Sequence, residues 1–509
     1  MGLLPYMFML VKITALACTL NIAHAADTAG ALWPEWRGPG GQGHAQGSGY
    51  PMTWDEATGH HLRWRTEILG RGWSSPVIDR DQVWVTTALE EHADPRRSHA
   101  ERRRWQLSGL LLLLFAASVT ASLRFRRHRL GLLAGMALPS LAGSLVLMLL
   151  PEAQVLRLGD WVSRYRPIFI PKVATPQRLQ LQAVAVSLAD GRILHRVPVF
   201  EIDQPRPIHA FNSYATPTAA IEAGRLYVHF GNHGTACVDT ASGSVLWRQQ
   251  EIQTDYVDGA ASSPILWQDL ILFQADGQHD PEVVALDKKT GHVRWRSPRS
   301  HRREVDPEMQ KTHATPLIIQ WEGSEVLLSP GAGWLYALDP ATGRELWSFR
   351  YPDGGYSMAM RPVVAHGLVY VCTAFPRPDL LAIRLPAQGR PAELAWKHQR
   401  AVPIMSCPIV TGDEIHFITE GGVLSCLDAR TGALHYKERL PGKFRASPSA
   451  AGGQLYWPGL EGTTHVLPIG PRFSPGQQGT LRGSIQASPA FTQDSILMRT
   501  DTALYRLQR

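Results

Sequence analysis

The chain has 509 residues, of which 44% are hydrophobic and 19% charged, with 45 Gly, 37 Pro and 16 Trp. That is ample for a large core and rich in turn formers. The net charge of +7 is concentrated: residues 90–129 hold nine Arg against Glu90, Glu91, Asp94 and Glu101, so +5 of it falls in one short stretch. With no recognisable nucleic-acid module, a nucleic-acid partner is not expected.

The first element is the leader, residues 1–25. It is apolar, carries only Lys12 as a basic residue and ends in Ala23-His24-Ala25, a small-x-small cleavage pattern. A signal peptide is expected here, with an uncleaved anchor as the alternative. Residues 26–87 come next, an N-terminal segment with a closing strand and the start of the first blade. Within it, "HLRWRTEI" (His61 to Ile68) reads as a lone strand bearing Trp64, and "GRGWSSPV" (Gly70 to Val77) leads into another.

Residues 88–182 read as an insertion. They contain two runs without a charge, 107–123 and 130–150, of 17 and 21 residues. At about 1.5 Å per residue the second spans about 31 Å, which is enough to cross a bilayer. A helical transmembrane hairpin is therefore expected in the inner membrane. The loop Arg124 to Arg129 would face the cytoplasm under the positive-inside rule, although Arg96 to Arg104 pulls the other way. The exported leader decides in favour of a periplasmic remainder.

From 183 to 509 the sequence repeats. "LYALDPATGRELW" (Leu335 to Trp347) is a strand, an Asp-led turn with Gly at its end, and a second strand closing on tryptophan. Close copies run from Ala236 to Trp247, Val283 to Trp295 and Val423 to Tyr436. A worn copy runs from Ala183 to Arg196, and a copy with a longer turn from Leu380 to Trp396. Each hairpin follows a small residue and a proline that open a short apolar run. The prolines are Pro76, Pro217, Pro264, Pro316, Pro362, Pro408, Pro448 and Pro489. From Pro217 onward they stand 40–52 residues apart; from Pro76 to Pro217 the gap is 141, which is where the insertion interrupts the first blade. Four strands per 40–50 residues is the period of a β-propeller blade. The fold expected is all-β, an eight-bladed propeller, with seven as the alternative because the repeat at Pro448 has lost its T-G turn. The chain stops partway through the last repeat, so the strand at Trp64 is expected to complete the eighth blade. Trp64, Trp247, Trp295, Trp347 and Trp396 are expected to pack between neighbouring blades.

The A-x-D-x-x-T-G-x-x-x-W repeats, with "WPEWRGPGGQG" (Trp33 to Gly43) before them, resemble the PQQ-binding-like β-propeller family. That family is related to quinoprotein alcohol dehydrogenases and to BamB-type envelope assembly subunits. The resemblance implies a propeller and leaves the activity open. Quinoprotein dehydrogenases of that superfamily hold PQQ and calcium over the propeller axis, typically with a vicinal Cys-Cys disulfide, a stacking Trp and acidic ligands. Here no two cysteines are adjacent, there is no C-x-x-C-H haem site, and no Asp aligns with the catalytic one. No cofactor is expected, with PQQ and calcium as the alternative. Cys237, Cys372, Cys407 and Cys426 read as small core residues. "GYSMA" (Gly355 to Ala359) lacks the last glycine of a nucleophile elbow. His229 and His233 have ligand-like spacing, but on a strand and its turn.

The residues just before the prolines should line one mouth of the central channel. Trp73, Tyr214, His313, Arg445 and Gln486, with Arg71, Arg361 and Lys443 nearby, form the candidate ligand funnel. Its positive charge favours an anion or a peptide carboxylate over a cation. The function expected is a membrane-tethered periplasmic scaffold for envelope proteins, non-catalytic and similar to BamB-type factors. The alternatives are a small-molecule sensor and a PQQ-dependent dehydrogenase.

Overall fold

A computed structural model describes residues 31–92, 175–256 and 258–509. The period seen in the sequence becomes eight antiparallel sheets. Blades 2 to 6 have four strands each, in simple up-and-down order, over residues 220–249, 265–298, 317–350, 363–398 and 409–439. In each of these the first strand is short and fully or largely buried, and the fourth faces solvent.

Blade 8 closes the ring. Ser495–Arg499 and Ala503–Gln508 are completed on the outside by Leu62–Glu67, with Trp64 opposite Arg506 and Glu67 opposite Ala503. The first and last parts of the chain thus share one sheet, which leaves no gap in the circle. In blade 7 the outer strand Gln477–Thr480 carries a fifth, parallel strand, Trp54–Asp55. Blade 1 is the long one. Gln82–Glu91 and Arg178–Ser187 pair residue for residue from Gln82↔Ser187 to Glu91↔Arg178. Residues 88–91 and 178–182, assigned to the insertion from sequence, therefore continue blade strands, because the antiparallel register runs through both without a break. The leader 1–25 and the runs 107–123 and 130–150 lie outside the described residues. Among those described, no helix is long and apolar enough to cross a membrane.

The repeat motif explains how blades adhere. Its Asp carboxylate caps the turn by accepting backbone N–H groups, as Asp287 does from Lys289 and Thr290, and Asp428 from Arg430 and Thr431. The turn glycine has φ near +75°, and the tryptophan of the preceding blade lies on it. A Cβ on Gly291 would stand 2.5 Å from Trp247, and one on Gly343 2.5 Å from Trp295. The indole N–H donates into the same turn: Trp247 to Lys288 O, Trp295 to Pro340 O, Trp396 to Ala429 O and Trp64 to Leu188 O, at 2.9–3.2 Å. His195 takes the tryptophan's place in blade 1 and faces Gly243. Trp347 departs from the pattern. The longer turn of blade 5 puts nothing within 4 Å of the Cβ position of Gly389, and Pro386 O accepts instead from Trp321. Trp347 is half-buried like Trp247, Trp295 and Trp396, and it packs against the cluster shared by blades 4 and 5, but with no turn glycine beneath it.

Candidate functional site

The residues just before the first strand of each blade form a closed ring around the axis. Ser75 N–H donates to Thr218 Oγ1, Thr218 N–H to Ser263 Oγ, and Ser263 N–H to Thr315 Oγ1, at 2.9–3.0 Å. On the other side Arg361 N–H donates to Cys407 Sγ at 3.3 Å, Cys407 N–H to Ser447 Oγ, Ser447 N–H to Ser488 Oγ, and Ser488 N–H back to Ser75 Oγ. The remaining junction, from blade 4 to blade 5, has no hydroxyl at Arg361; there Arg361 Nε donates to Pro316 O at 3.0 Å. Small hydroxyl residues leading into the inner strands, with the Cys407 thiol among them, thus serve as cross-blade acceptors, satisfying backbone N–H groups that burial would otherwise strand.

This ring corrects the sequence register in one blade. The strand of blade 2 begins at Ala220, three residues after Pro217, whereas the others begin directly after theirs. Thr218, not Thr216, therefore matches Ser75. Tyr214 is displaced from the axis; it is buried, with its hydroxyl donating to Arg206 O at 2.8 Å.

The N-terminal segment closes one end of the channel. Trp33 pairs with blade 1, and Pro34 O accepts from Ile221 N–H of blade 2. Arg37 donates to Pro408 O of blade 6, Gly43 and Ala45 pair with Ala450 of blade 7, and Tyr50 donates to Thr492 O of blade 8. Arg361 of blade 5 grips the middle of this plug. Its guanidinium donates to Trp36 O at 3.0 Å and pairs with Glu35 at 3.1 Å, both residues being buried. A Cβ on Gly41 would collide with that guanidinium, so the run Gly38 to Gly43 must be glycine-rich for the chain to pass. Arg361 is thus a plug anchor and does not face the funnel; a positive residue beside a proline could not reveal that its partner would arrive from 326 positions away.

Beyond the plug lies a cavity of about 530 Å³. Its floor is Trp36, whose indole N–H donates to Ser488 Oγ at 3.4 Å, set within the hydroxyl ring. Its wall is the next ring outward: Trp73, Thr216, Ala261, His313, Ala359, Met405, Arg445 and Gln486, one from each blade. Of the expected funnel residues, Trp73, His313, Arg445 and Gln486 meet here. Arg71 does not line the cavity but lies 5.1 Å over the Trp73 ring. Lys443 is exposed outside it, with its backbone N–H donating to Glu461. Sequence reasoning missed the floor residue Trp36, and also Phe211, Asp258, Lys311 and Tyr356, which reach the cavity from loops between blades, and Phe375, which reaches it from a loop within blade 5. Phe211 and Phe375 are 51% and 44% exposed, so the rim presents aromatic faces to solvent.

The charges of the cavity divide unequally. Asp258 is taken: Lys311 Nζ lies 2.9 Å and His313 Nε2 3.5 Å from the same oxygen. The His313 contact first, then Lys311, holds the Asp258 carboxyl well below the usual range despite its burial. Arg445 stacks 4.4 Å over Phe211 and donates to Gln486 Oε1 at 3.2 Å. Among the described residues no carboxylate lies within ion-pair distance of it. Glu420, whose charge reaches Arg445, accepts instead from the N–H groups of Ile404 and Met405.

The fold raises the question of PQQ with calcium. Calcium takes six to eight oxygen ligands, commonly several carboxylates. The cavity offers one carboxylate, already held by a lysine, and the described cysteines Cys237, Cys372, Cys407 and Cys426 are free and buried. These donors do not fit a calcium-bound quinone. His229 and His233 do not converge either. His229 is buried with Nδ1 on Thr235 Oγ1 at 2.8 Å, and His233 lies against Tyr214.

Residues 180–420 match the family model described as outer membrane protein assembly factor BamB. A curated relative, 1-butanol dehydrogenase (quinone) of Thauera butanivorans, is 29% identical over 148 residues; the match covers 26% of this chain and 22% of that protein. The chain therefore spans about a fifth of that relative's length. Among solved structures it is similar to BamB from Moraxella catarrhalis, with 13% identity, a TM-score of 0.47, and coverage of 67% of this chain and 96% of the other. It is also similar to a europium-containing methanol dehydrogenase, with 11% identity, a TM-score of 0.40, and coverage of 68% and 86%.

Proposed function

We propose, from the match of residues 180–420 to the BamB family model, that this chain is a non-catalytic binding scaffold of the bacterial envelope, a role similar to that of BamB-type factors. The observation that carries this reading is the blind funnel. A rigid ring is stoppered by its own N-terminal segment and leaves an aromatic mouth of about 530 Å³. That volume suits a few residues or a small molecule, not a folded domain. The aromatic rim and solvent-facing outer strands supply further contact surface of the kind that protein interfaces favour. The inner-membrane tether belongs to this proposal. It rests on the uncharged runs 107–123 and 130–150 of the sequence, with the propeller on the periplasmic side.

The test is chemical cross-linking of native membranes carrying the full-length protein, followed by purification and mass spectrometry. The expected result is one protein recovered reproducibly in near-stoichiometric amount, and displaced by excess purified propeller. If no protein meets both criteria, the scaffold reading falls. A dehydrogenase reading, carried over from the quinone-dependent relative, predicts alcohol oxidation with an artificial acceptor after addition of PQQ and calcium. The single, already paired carboxylate of the funnel argues for no such activity.

A further inference from the structure

Resting on the scaffold reading, we propose that the funnel captures the free C-terminus of a partner polypeptide, with the terminal carboxylate on Arg445 and an apolar last side chain against Trp36 and Tyr356. Three features of the cavity lead there.

The first is its shape. Trp36 and the hydroxyl ring close the inner end, so a chain cannot thread through. Whatever enters must end or turn back inside. A turning loop brings two strands abreast, about 4.8 Å apart before side chains are counted, and carries its unpaired backbone groups into the narrow part. A chain end enters singly.

The second is charge. A polypeptide end is an ammonium or a carboxylate. An ammonium needs an uncommitted acid, and the acid of the cavity, Asp258, already faces Lys311 at 2.9 Å and His313 at 3.5 Å. A carboxylate needs an uncommitted cation, and Arg445 is one. It is held in place by the Phe211 ring and Gln486 while its remaining N–H donors stay available. A guanidinium fixed in this way pairs with a carboxylate in two-pronged fashion.

The third is the lining. Trp36, Trp73, Tyr356 and Phe375, with Ile404 and Met405, give a mainly apolar wall. Flat, rigid aromatic faces bind apolar side chains with little loss of conformational freedom.

The experiment uses the detergent-solubilised full chain and reads intrinsic tryptophan fluorescence, since Trp36 and Trp73 both line the cavity. The probes are an N-acetylated hexapeptide ending in Leu-Phe with a free carboxylate, the same peptide as its carboxamide, and phenylacetate. The free acid is expected to bind at least tenfold more tightly than the carboxamide and far more tightly than phenylacetate. In Arg445→Gln, the acid and the carboxamide should bind alike. In Asp258→Asn, which releases Lys311 and His313, the acid should bind severalfold more tightly and the carboxamide unchanged. Misfolding does not produce that opposite pair of effects. Equal binding of acid and carboxamide by the natural protein, no binding of either, phenylacetate as tight as the peptide, or weakened acid binding in Asp258→Asn would each overturn the proposal. The cross-linked partner judges the scaffold reading separately, so a partner recovered without peptide binding would leave that reading standing and sink this one.

Discussion

Trp396 of blade 5 donates its indole N–H to Ala429 O of blade 6 at 3.0 Å and lies against Gly432 in the same turn. One residue pair thus joins two blades through a hydrogen bond and an aromatic face laid on bare backbone. Trp396→Ala would remove both and open a gap at the junction, and should cost about 2–4 kcal/mol. Trp347→Ala, where no turn glycine stands opposite, should cost less, about 1–2 kcal/mol on the same scale. Urea titration of the two variants should rank them in that order; the reverse order would mean that the glycine contact is not what joins the blades.

The turn glycine can be tested from its own side. Gly343 has φ of +73°, and an added Cβ would stand 2.5 Å from Trp295. Gly343→Ala should destabilise by about 1–3 kcal/mol through strain and displacement of the indole together. Gly389→Ala, at a similar φ but in open space, should show the strain alone and hence the smaller loss.

Arg361 and Glu35 stake the plug to blade 5. Arg361→Leu strands the buried Glu35 carboxylate, a change that costs about 3–5 kcal/mol when a buried pair loses one partner. The plug should loosen first. Limited proteolysis is expected to cut between residues 33 and 50 in the variant at protease concentrations that spare the natural protein.

Stability should fall with acid above the range where carboxylates titrate. Burial pushes His229 down to about 3 and His416 down to about 4, so both are neutral in the folded ring. The unfolded chain takes up these protons near pH 6.5, so between there and about pH 4 it binds more protons than the native state. Stability contributed by the neutral rings is therefore full above about pH 6.5 and is lost as pH falls to about 4. The unfolding midpoint should drop across that window, and the drop should be shallower in the double variant His229→Asn, His416→Asn.

Glu91 and Arg178 are register partners at the end of the long blade 1 hairpin. Replacing residues 93–174 by a short Gly/Ser linker should leave the ring folded, because shortening a loop costs little closure entropy. The product is expected to keep the β-sheet circular dichroism spectrum and to leave the membrane fraction. A product that stays with the membrane would show that the tether lies elsewhere.

The sequence by itself determined the repeat, the eight blades and the closing strand at Trp64, because these depend on local signals: period-two alternation, Asp-led turns and a proline before each inner strand. Local signals also placed most of the funnel ring, since a residue three before the proline that opens an inner strand must stand near the axis. Only the tertiary structure decided what those residues meet. Pro217 stands two residues early, so Thr216 and not Tyr214 reaches the cavity. Arg361 turns away to hold a plug from the far end of the chain, and Lys443 points to solvent. The rim residues Phe211, Asp258, Lys311 and Tyr356 lie on loops without periodicity, and only the closed ring brings them together. A turn is fixed by its neighbours in sequence, whereas a funnel is fixed by neighbours in space that ring closure supplies.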